Sequence, residues 1–250
     1  MARTQIAVVT GGSSGLGEAV GRRLVADGFR VFNLDIHGPC RDLEIGAVNG
    51  TSHIMCDVTD IEALAQTFEE ISGIGCIRVV VTCAGVLRSE LLLSEGIPHP
   101  ISIFREVVET NLFGTFATLR IAASVMASEE PDSAGSRGVL VMTGSVAASD
   151  GQAGQVAYSA SKGAIASMTL PLARELARHG IRVLTLAPGM FDTQMVSHLP
   201  EQLQRSLLAR IPFPERFGDP AEFASMVSEL IANSYANGTT IRLDGGIRLF

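Results

Sequence analysis

Tyr158-Ser159-Ala160-Ser161-Lys162 sets a phenol and an amine four residues apart, on one face of a helix. The chain holds two tyrosines and a single lysine, so an accidental pair at this spacing has roughly a 1% chance. Elsewhere it uses arginine, whose wide fork does not replace a compact ammonium charge. A phenol with a pKa near 10 is a poor base at neutrality. Lowering it by about three units requires about 4 kcal/mol. One ammonium about 4 Å away, at an effective dielectric near 20, supplies roughly that. The spacing therefore predicts a Tyr158 whose pKa is lowered by Lys162. Such a tyrosine takes a proton from a substrate hydroxyl as hydride leaves the carbon. Lys162 is also expected to hold the ribose of a nicotinamide cofactor.

Two further residues fit this chemistry. Ser145 ends an apolar run 13 residues before Tyr158 and can donate to a substrate oxygen as that oxygen changes character; it also reads as a plain turn residue. Asn111 lies mid-helix in Glu109-Thr110-Asn111-Leu112, where asparagine competes for backbone groups. It predicts a distorted turn holding a water that passes protons from Lys162 to solvent, or else a tolerated polar residue.

These groups need a scaffold. β-branched runs recur at 6–10, 31–35, 53–57, 77–82, 139–143, 181–187 and 240–243. Most are apolar throughout, as in strands buried on both faces of a parallel sheet. Helical stripes lie between them, for example Leu16, Val20 and Leu24, then Ile61, Leu64, Phe68 and Ile71. The alternation predicts a single α/β domain over residues 1–250, a seven-stranded doubly wound parallel sheet with helices on both faces. Pro171 falls inside the apparent helix 156–178, where it predicts a kink. Residues 189–219 form an apolar, proline-punctuated excursion and read as a mobile substrate cover. The apolar ending Leu249-Phe250 predicts a docked terminus.

Thr10-Gly11-Gly12-Ser13-Ser14-Gly15-Leu16-Gly17 follows the first strand and opens the first helix, which suits a pyrophosphate at a helix N-terminus. Asp35 closes the second strand 18 residues after Gly17. A carboxylate there accepts both adenosine ribose hydroxyls and repels a 2′-phosphate, favouring NAD over NADP. Asp57-Val58 is read as ending the third strand, facing the adenine edge.

Composition excludes several classes. With 46% hydrophobic and 18% charged residues the bulk is not disordered. A net charge of −7 argues against a nucleic-acid partner. No apolar run is long enough to span a bilayer. Cys40, Cys56, Cys76 and Cys83 form no Cys-x-x-Cys pair and the histidines show no ligand spacing, so no metal is expected. The first strand begins almost at once, which with the cysteine pattern predicts a cytoplasmic protein.

Taken together, Thr10-Gly11, Gly15, Gly17, Asp57, Cys83-Ala84-Gly85, Asn111, Ser145, Tyr158, Lys162, Pro188-Gly189 and Thr193 resemble the short-chain dehydrogenase/reductase family over nearly the whole chain. The resemblance implies one Rossmann-like domain, a homotetramer and catalysis by Asn111, Ser145, Tyr158 and Lys162. Thr82 departs from the asparagine often found there, which weakens the expected support of the central sheet. The stretches 139–163, 187–193, 212–222 and 241–248 are similar to a subfamily of 3-hydroxyacyl-CoA dehydrogenases that also act on hydroxysteroids. That likeness implies NAD contacts at Ser14, Leu16, Asp35, Asp57, Val58, Cys83, Tyr158, Lys162, Phe191 and Thr193, and the family motifs add Gly11, Gly15, Gly17, Ala84, Gly85, Pro188 and Gly189. Substrate then meets Ser145 and Tyr158. Residues 91–100 match a pocket-shaping insertion of that subfamily in place but not in sequence. The reaction implied interconverts (S)-3-hydroxyacyl-CoA and 3-oxoacyl-CoA, a step of fatty acid metabolism. A hydroxysteroid or other bulky secondary-alcohol dehydrogenase is the alternative, and a non-catalytic NAD-binding scaffold a third reading. Arg205, Arg210 and Arg216 are candidates to meet CoA phosphates, or else solvated charges.

Overall fold

The computed structural model describes residues 3–37, 50–197 and 200–249. Cys40, Phe250, part of the expected cover and the side chain of Met195 lie outside the described residues. In chain order the elements begin with β1 (Gln5–Thr10), α1 (Gly15–Ala26), β2 (Arg30–Asp35), β3 (Thr51–Met55), α2 (Ile61–Ile74) and β4 (Cys76–Thr82). A short hairpin follows, β5 (Leu93–Ser94) and β6 (Ile97–Pro98), then α3 (Ile101–Val108), a π turn (Glu109–Phe113) and α4 (Gly114–Ser128). The chain continues through β7 (Gly138–Thr143), α5 (Val156–Leu176), β8 (Ile181–Pro188), α6 (Gln194–Ser197), α7 (Glu201–Leu208), α8 (Pro220–Ala232) and β9 (Thr240–Leu243).

Seven strands form one parallel sheet in the order β3-β2-β1-β4-β7-β8-β9. The apolar runs explain it, because alternate residues of one strand feed opposite cores. Ile6 and Val8 pack with Phe32, Leu140, and Phe68 and Met126 of α2 and α4. Ala7 and Val9 pack on the other face with Val31, Val141, and Leu24 and Phe223 of α1 and α8. Strand order reverses at β1, so the crevice for a ligand lies beyond the carboxyl ends of β1 and β4.

One local reading is corrected. The third strand is Thr51–Met55, and Asp57-Val58 lies in the turn beyond it. Asp57 Oδ1 accepts from the Thr59 N–H at 2.9 Å and from its hydroxyl at 2.8 Å, a side-chain-closed turn that ends the strand early. The hairpin at Leu93–Pro98 carries positive φ at Glu95 (50°) and Gly96 (81°), a tight-turn geometry that a Glu-Gly pair does not announce. Helix α5 runs through Pro171, whose exposed position leaves its ring in solvent.

The segment beyond β8 is docked. Phe191 bridges to Gly218 and meets the Phe223 ring edge-on at 5.9 Å. Leu207 and Ile211 share a small core with Val146, Ile247 and Leu249. The C-terminal segment therefore docks within its own chain.

Candidate active site

The glycine turn after β1 is shaped by contacts that exclude side chains. Gly11 sits at φ +65°, and a Cβ on it would meet the Ala84 backbone at 2.6 Å. A Cβ on Gly17 would lie 2.1 Å from the Gly11 carbonyl oxygen, so helix and turn touch through bare backbone. Gly15, at the start of α1, faces Thr193, whose Cγ2 would be 3.5 Å from an added Cβ. This brings the β8 loop over the turn. Ser14 caps α1 without a side-chain bond, and the Ser13 hydroxyl is buried without a partner. The first-turn N–H groups are thus left for an anion. Asp35 closes β2 beside this turn and is held there by the Ser13 and His37 N–H groups, both at 3.0 Å.

At the end of β4 the backbone of Cys83 and Ala84 bonds back to Thr10, the Cys83 N–H to its carbonyl at 2.9 Å. The Cys83 thiol lies 3.2 Å from the Thr143 hydroxyl. Burial pushes its pKa up to about 11, against the Thr143 bond and the Lys162 charge, so it stays a thiol. The Thr82 hydroxyl is buried and unpartnered.

Tyr158, Lys162 and Ser145 come together. Ser145 follows β7 and caps a single tight turn, Val146–Ala148. Its Oγ accepts the Ala147 N–H at 3.1 Å, which leaves its own proton to donate outward. It also hydrogen-bonds the Tyr158 phenol. Lys162 is 5% exposed and donates to the Thr143 carbonyl at 2.8 Å, with Nζ 5.8 Å from the Tyr158 ring centroid. Burial lowers its pKa to about 8.

The expected lowering of the Tyr158 pKa is not what the geometry gives. Burial raises it, and the Ser145 hydrogen bond offsets only part. The ammonium donates to the Thr143 carbonyl, and for the phenol desolvation wins.

Asn111 sits at the centre of the π turn and is fully buried. The distortion expected of a mid-helix asparagine is present. Its Oδ1 accepts the Val86 N–H at 2.7 Å, while its Nδ2 donates to the Val86 carbonyl at 2.9 Å and to Ser161 Oγ at 3.2 Å. The side chain thus clamps the loop after β4 to α5. Ser161, overlooked in the sequence, closes the link by donating to the Tyr158 carbonyl at 2.7 Å. Its place between Tyr158 and Lys162 was the available signal.

A cleft of about 530 Å³ opens beside the start of α5, lined by Leu91, Leu92, Leu93, Gln152, Val156 and Ser159. Its wall is tied to the turn that leads into α5, because the Glu90 N–H donates to the Gly154 carbonyl at 2.8 Å. The Gln155 Oε1 and Ser159 Oγ atoms are buried without partners. Among the described residues no arginine lines this cleft. Arg205 pairs with Glu201, and Arg216 pairs with Glu222 at 2.7 Å.

A family model for short chain dehydrogenases matches residues 5–204. The chain belongs to the short-chain dehydrogenase family. It is 44% identical to the 3-hydroxyacyl-CoA dehydrogenase type-2 of Homo sapiens over 98% of this chain and 95% of that one. It is 40% identical to the protein of that name from Drosophila melanogaster, over 100% and 99%. A crystal structure of 3-hydroxyacyl-CoA dehydrogenase type-2 from Mycobacterium avium superposes with a TM-score of 0.92 at 35% identity, covering 98% and 96%. As a short-chain dehydrogenase this protein is an oxidoreductase.

The short-chain dehydrogenase fold brings the sequence-selected residues to one end of the sheet. Gly11, Ser14, Gly15, Leu16 and Gly17 form the turn and the start of α1, with Asp35 at the next strand end. Cys83, Ala84 and Gly85 follow β4, and an added Gly85 Cβ would lie 3.9 Å from Lys162 Nζ. Pro188 ends β8, with Gly189, Phe191 and Thr193 just beyond. Asp57 and Val58 stand farther out, Val58 buried against Gly114 at the start of α4. Among the described residues no cluster of side chains could hold a metal ion, and no helix is long and apolar enough to cross a membrane.

Proposed function

We propose that this chain is an NAD-dependent dehydrogenase that interconverts (S)-3-hydroxyacyl-CoA and 3-oxoacyl-CoA. One observation carries the reading: a tyrosine, a serine and a buried lysine meet at the end of the sheet where α1 starts without a side-chain cap. The names of the full-length relatives supply the substrate class.

The turn from Gly11 to Gly17 would hold the pyrophosphate of NAD, and Asp35 the adenosine ribose. Lys162 and the loop carrying Gly189, Phe191 and Thr193 would hold the nicotinamide half. Asp35 supports NAD over NADP, since its fixed carboxylate would repel a 2′-phosphate. When bound, the oxidised cofactor supplies a hydride acceptor that carries positive charge. Ser145 donates its free proton to the substrate oxygen and fixes it against Tyr158. Tyr158 takes the hydroxyl proton in oxidation and returns it in reduction. Lys162 keeps a positive charge near the phenol below pH about 8. The π turn at Asn111 is the proposed outlet, through a water, for the proton.

A second reading is favoured by the apolar cleft without arginine: a hydroxysteroid or other bulky, uncharged secondary alcohol. Oxidation of NADH, followed at 340 nm, separates the two. Acetoacetyl-CoA is expected to turn over well ahead of free ketones and steroids, and the reverse order would replace the acyl-CoA reading. Tyr158→Phe is expected to abolish turnover while NADH still binds; retained activity would refute the mechanism. NADH binding without turnover of any alcohol or ketone would leave only the scaffold.

Among the described residues the thiols of Cys76 and Cys83 are in no disulfide, which supports placement in a reducing compartment such as the cytoplasm. The homotetramer that the family resemblance implies is supported by Phe113 and Phe116, both exposed at the end of the π turn and the start of α4. Light scattering of the purified chain tests it. Residues 189–219, with α6 and α7, remain the proposed cover of a single 250-residue domain.

A further inference from the structure

Ser145 depends on a residue nearly one hundred positions away. Arg242, on β9, reaches across the end of the sheet to the turn that follows Ser145. Its Nη1 donates to Ser149 Oγ at 2.9 Å and its Nη2 to Asp150 Oδ2 at 2.7 Å. The same guanidinium donates through Nε to Asp244 at 2.9 Å and through Nη2 to the Ile247 carbonyl at 3.1 Å. Arg248 adds a second cation on Asp244 at 3.2 Å. One planar fork therefore joins the C-terminal segment to both residues at the end of the Ser145 turn.

The bonds continue inward. The Ser149 and Asp150 N–H groups both donate to the Val146 carbonyl, at 3.1 and 2.9 Å. The Ala148 N–H donates to the Ser145 carbonyl at 3.1 Å, and the Ala147 N–H holds Ser145 Oγ. The underside of the turn is fixed by apolar contact, with Val146 packed in one small core with Ile247, Leu249, Leu207 and Ile211. The ion pair is partly buried, with side-chain exposure of 28% for Arg242, 15% for Asp150 and 10% for Asp244, while the bond to Ser149 is exposed. A forked, multiply bonded arginine resists local opening in a way that a single solvated ion pair does not.

We propose that Arg242 is a positioning residue. It acts through Ser149 and Asp150 to hold the Ser145 turn, and with it the direction of the Ser145 hydroxyl. The catalytic half of this statement rests on the reading of Ser145 as the substrate-facing donor. The mechanical half stands on the bonds alone.

The test uses the full chain with Arg242→Met and Arg242→Lys, and Asp150→Asn as a second route should the arginine variants fold poorly. Hydrogen–deuterium exchange of the peptide covering residues 145–151 is expected to accelerate by on the order of tenfold in each variant, with the glycine turn at 11–17 unchanged. With NADH and acetoacetyl-CoA, kcat is expected to fall by on the order of tenfold while KM for NADH moves less than twofold. Lysine keeps the charge but not the fork, so Arg242→Lys is expected to recover little. Unchanged exchange at 145–151 overturns the proposal whatever the activity. Faster exchange with undiminished kcat overturns it as well. If the wild-type chain turns over no ketone, the dehydrogenase reading fails, and exchange alone decides whether Arg242 holds the turn.

Discussion

Replacing Lys162 with methionine separates the cost of the ammonium from its use. Folding carries this side chain into a dry pocket, and burial brings its pKa from 10.5 to about 8. Below pH 8 both folded and unfolded chains hold the proton, and the folded state bears the full desolvation cost. Between the two values the unfolded chain holds more protons than the folded one, so rising pH stabilises the fold. From pH 7 to pH 10 the gain integrates to about 2–3 kcal/mol. Methionine fills the same unbranched volume and does not titrate. Urea unfolding of both proteins at the two pH values therefore gives the contribution by difference, with other titrations largely cancelling. The wild type is expected to gain about 2–3 kcal/mol on the variant across this interval. Turnover is expected to be lost in Lys162→Met at either pH. A stability difference that stays flat with pH would refute the claim that the ammonium is buried at a cost.

Asp35→Ala removes the carboxylate at the end of β2, and the preference for NAD over NADP is expected to fall by on the order of tenfold, read from kcat/KM with each cofactor. Gly17→Ala drives a Cβ to within 2.1 Å of a backbone oxygen that has no room to move. It is expected to cost about 1–3 kcal/mol of stability and to weaken NADH binding, read by thermal unfolding and fluorescence titration. Arg182 donates to the carbonyls of Leu230, Ile231, Asn233 and Ala236, gathering the end of α8. Arg182→Met is expected to cost about 3 kcal/mol in urea unfolding with little effect on KM.

Much of the fold was legible because burial on both faces writes itself into a strand as an unbroken apolar run. Ile6 to Val9 and Val139 to Met142 could hardly be anything else. Asn111 was legible for a different reason, since a residue that resists helices marked the place where the helix deforms. What escaped was set by side-chain reach and not by spacing. The interval between Tyr158 and Lys162 places both on one helix face, yet does not say that Nζ turns to the Thr143 carbonyl. A backbone acceptor carries no residue signature. The ends of β3 and the Glu95-Gly96 turn were decided by local hydrogen bonds and backbone angles that composition does not encode. Nor did the sequence disclose that Arg205 and Arg216 face glutamates on their own or the next helix.

The π turn at Glu109–Phe113 has an evolutionary corollary. It behaves as one surplus residue in an otherwise regular rod, and each residue of an α-helix advances by about 100°. Deleting that residue to restore regularity would swing Thr115, Thr118, Leu119, Ala122 and Met126 off the sheet and turn a polar flank inward. The irregularity is therefore locked by everything downstream of it. A lineage can change the chemistry around Asn111 by substitution, but it cannot straighten the rod without refacing all of α4.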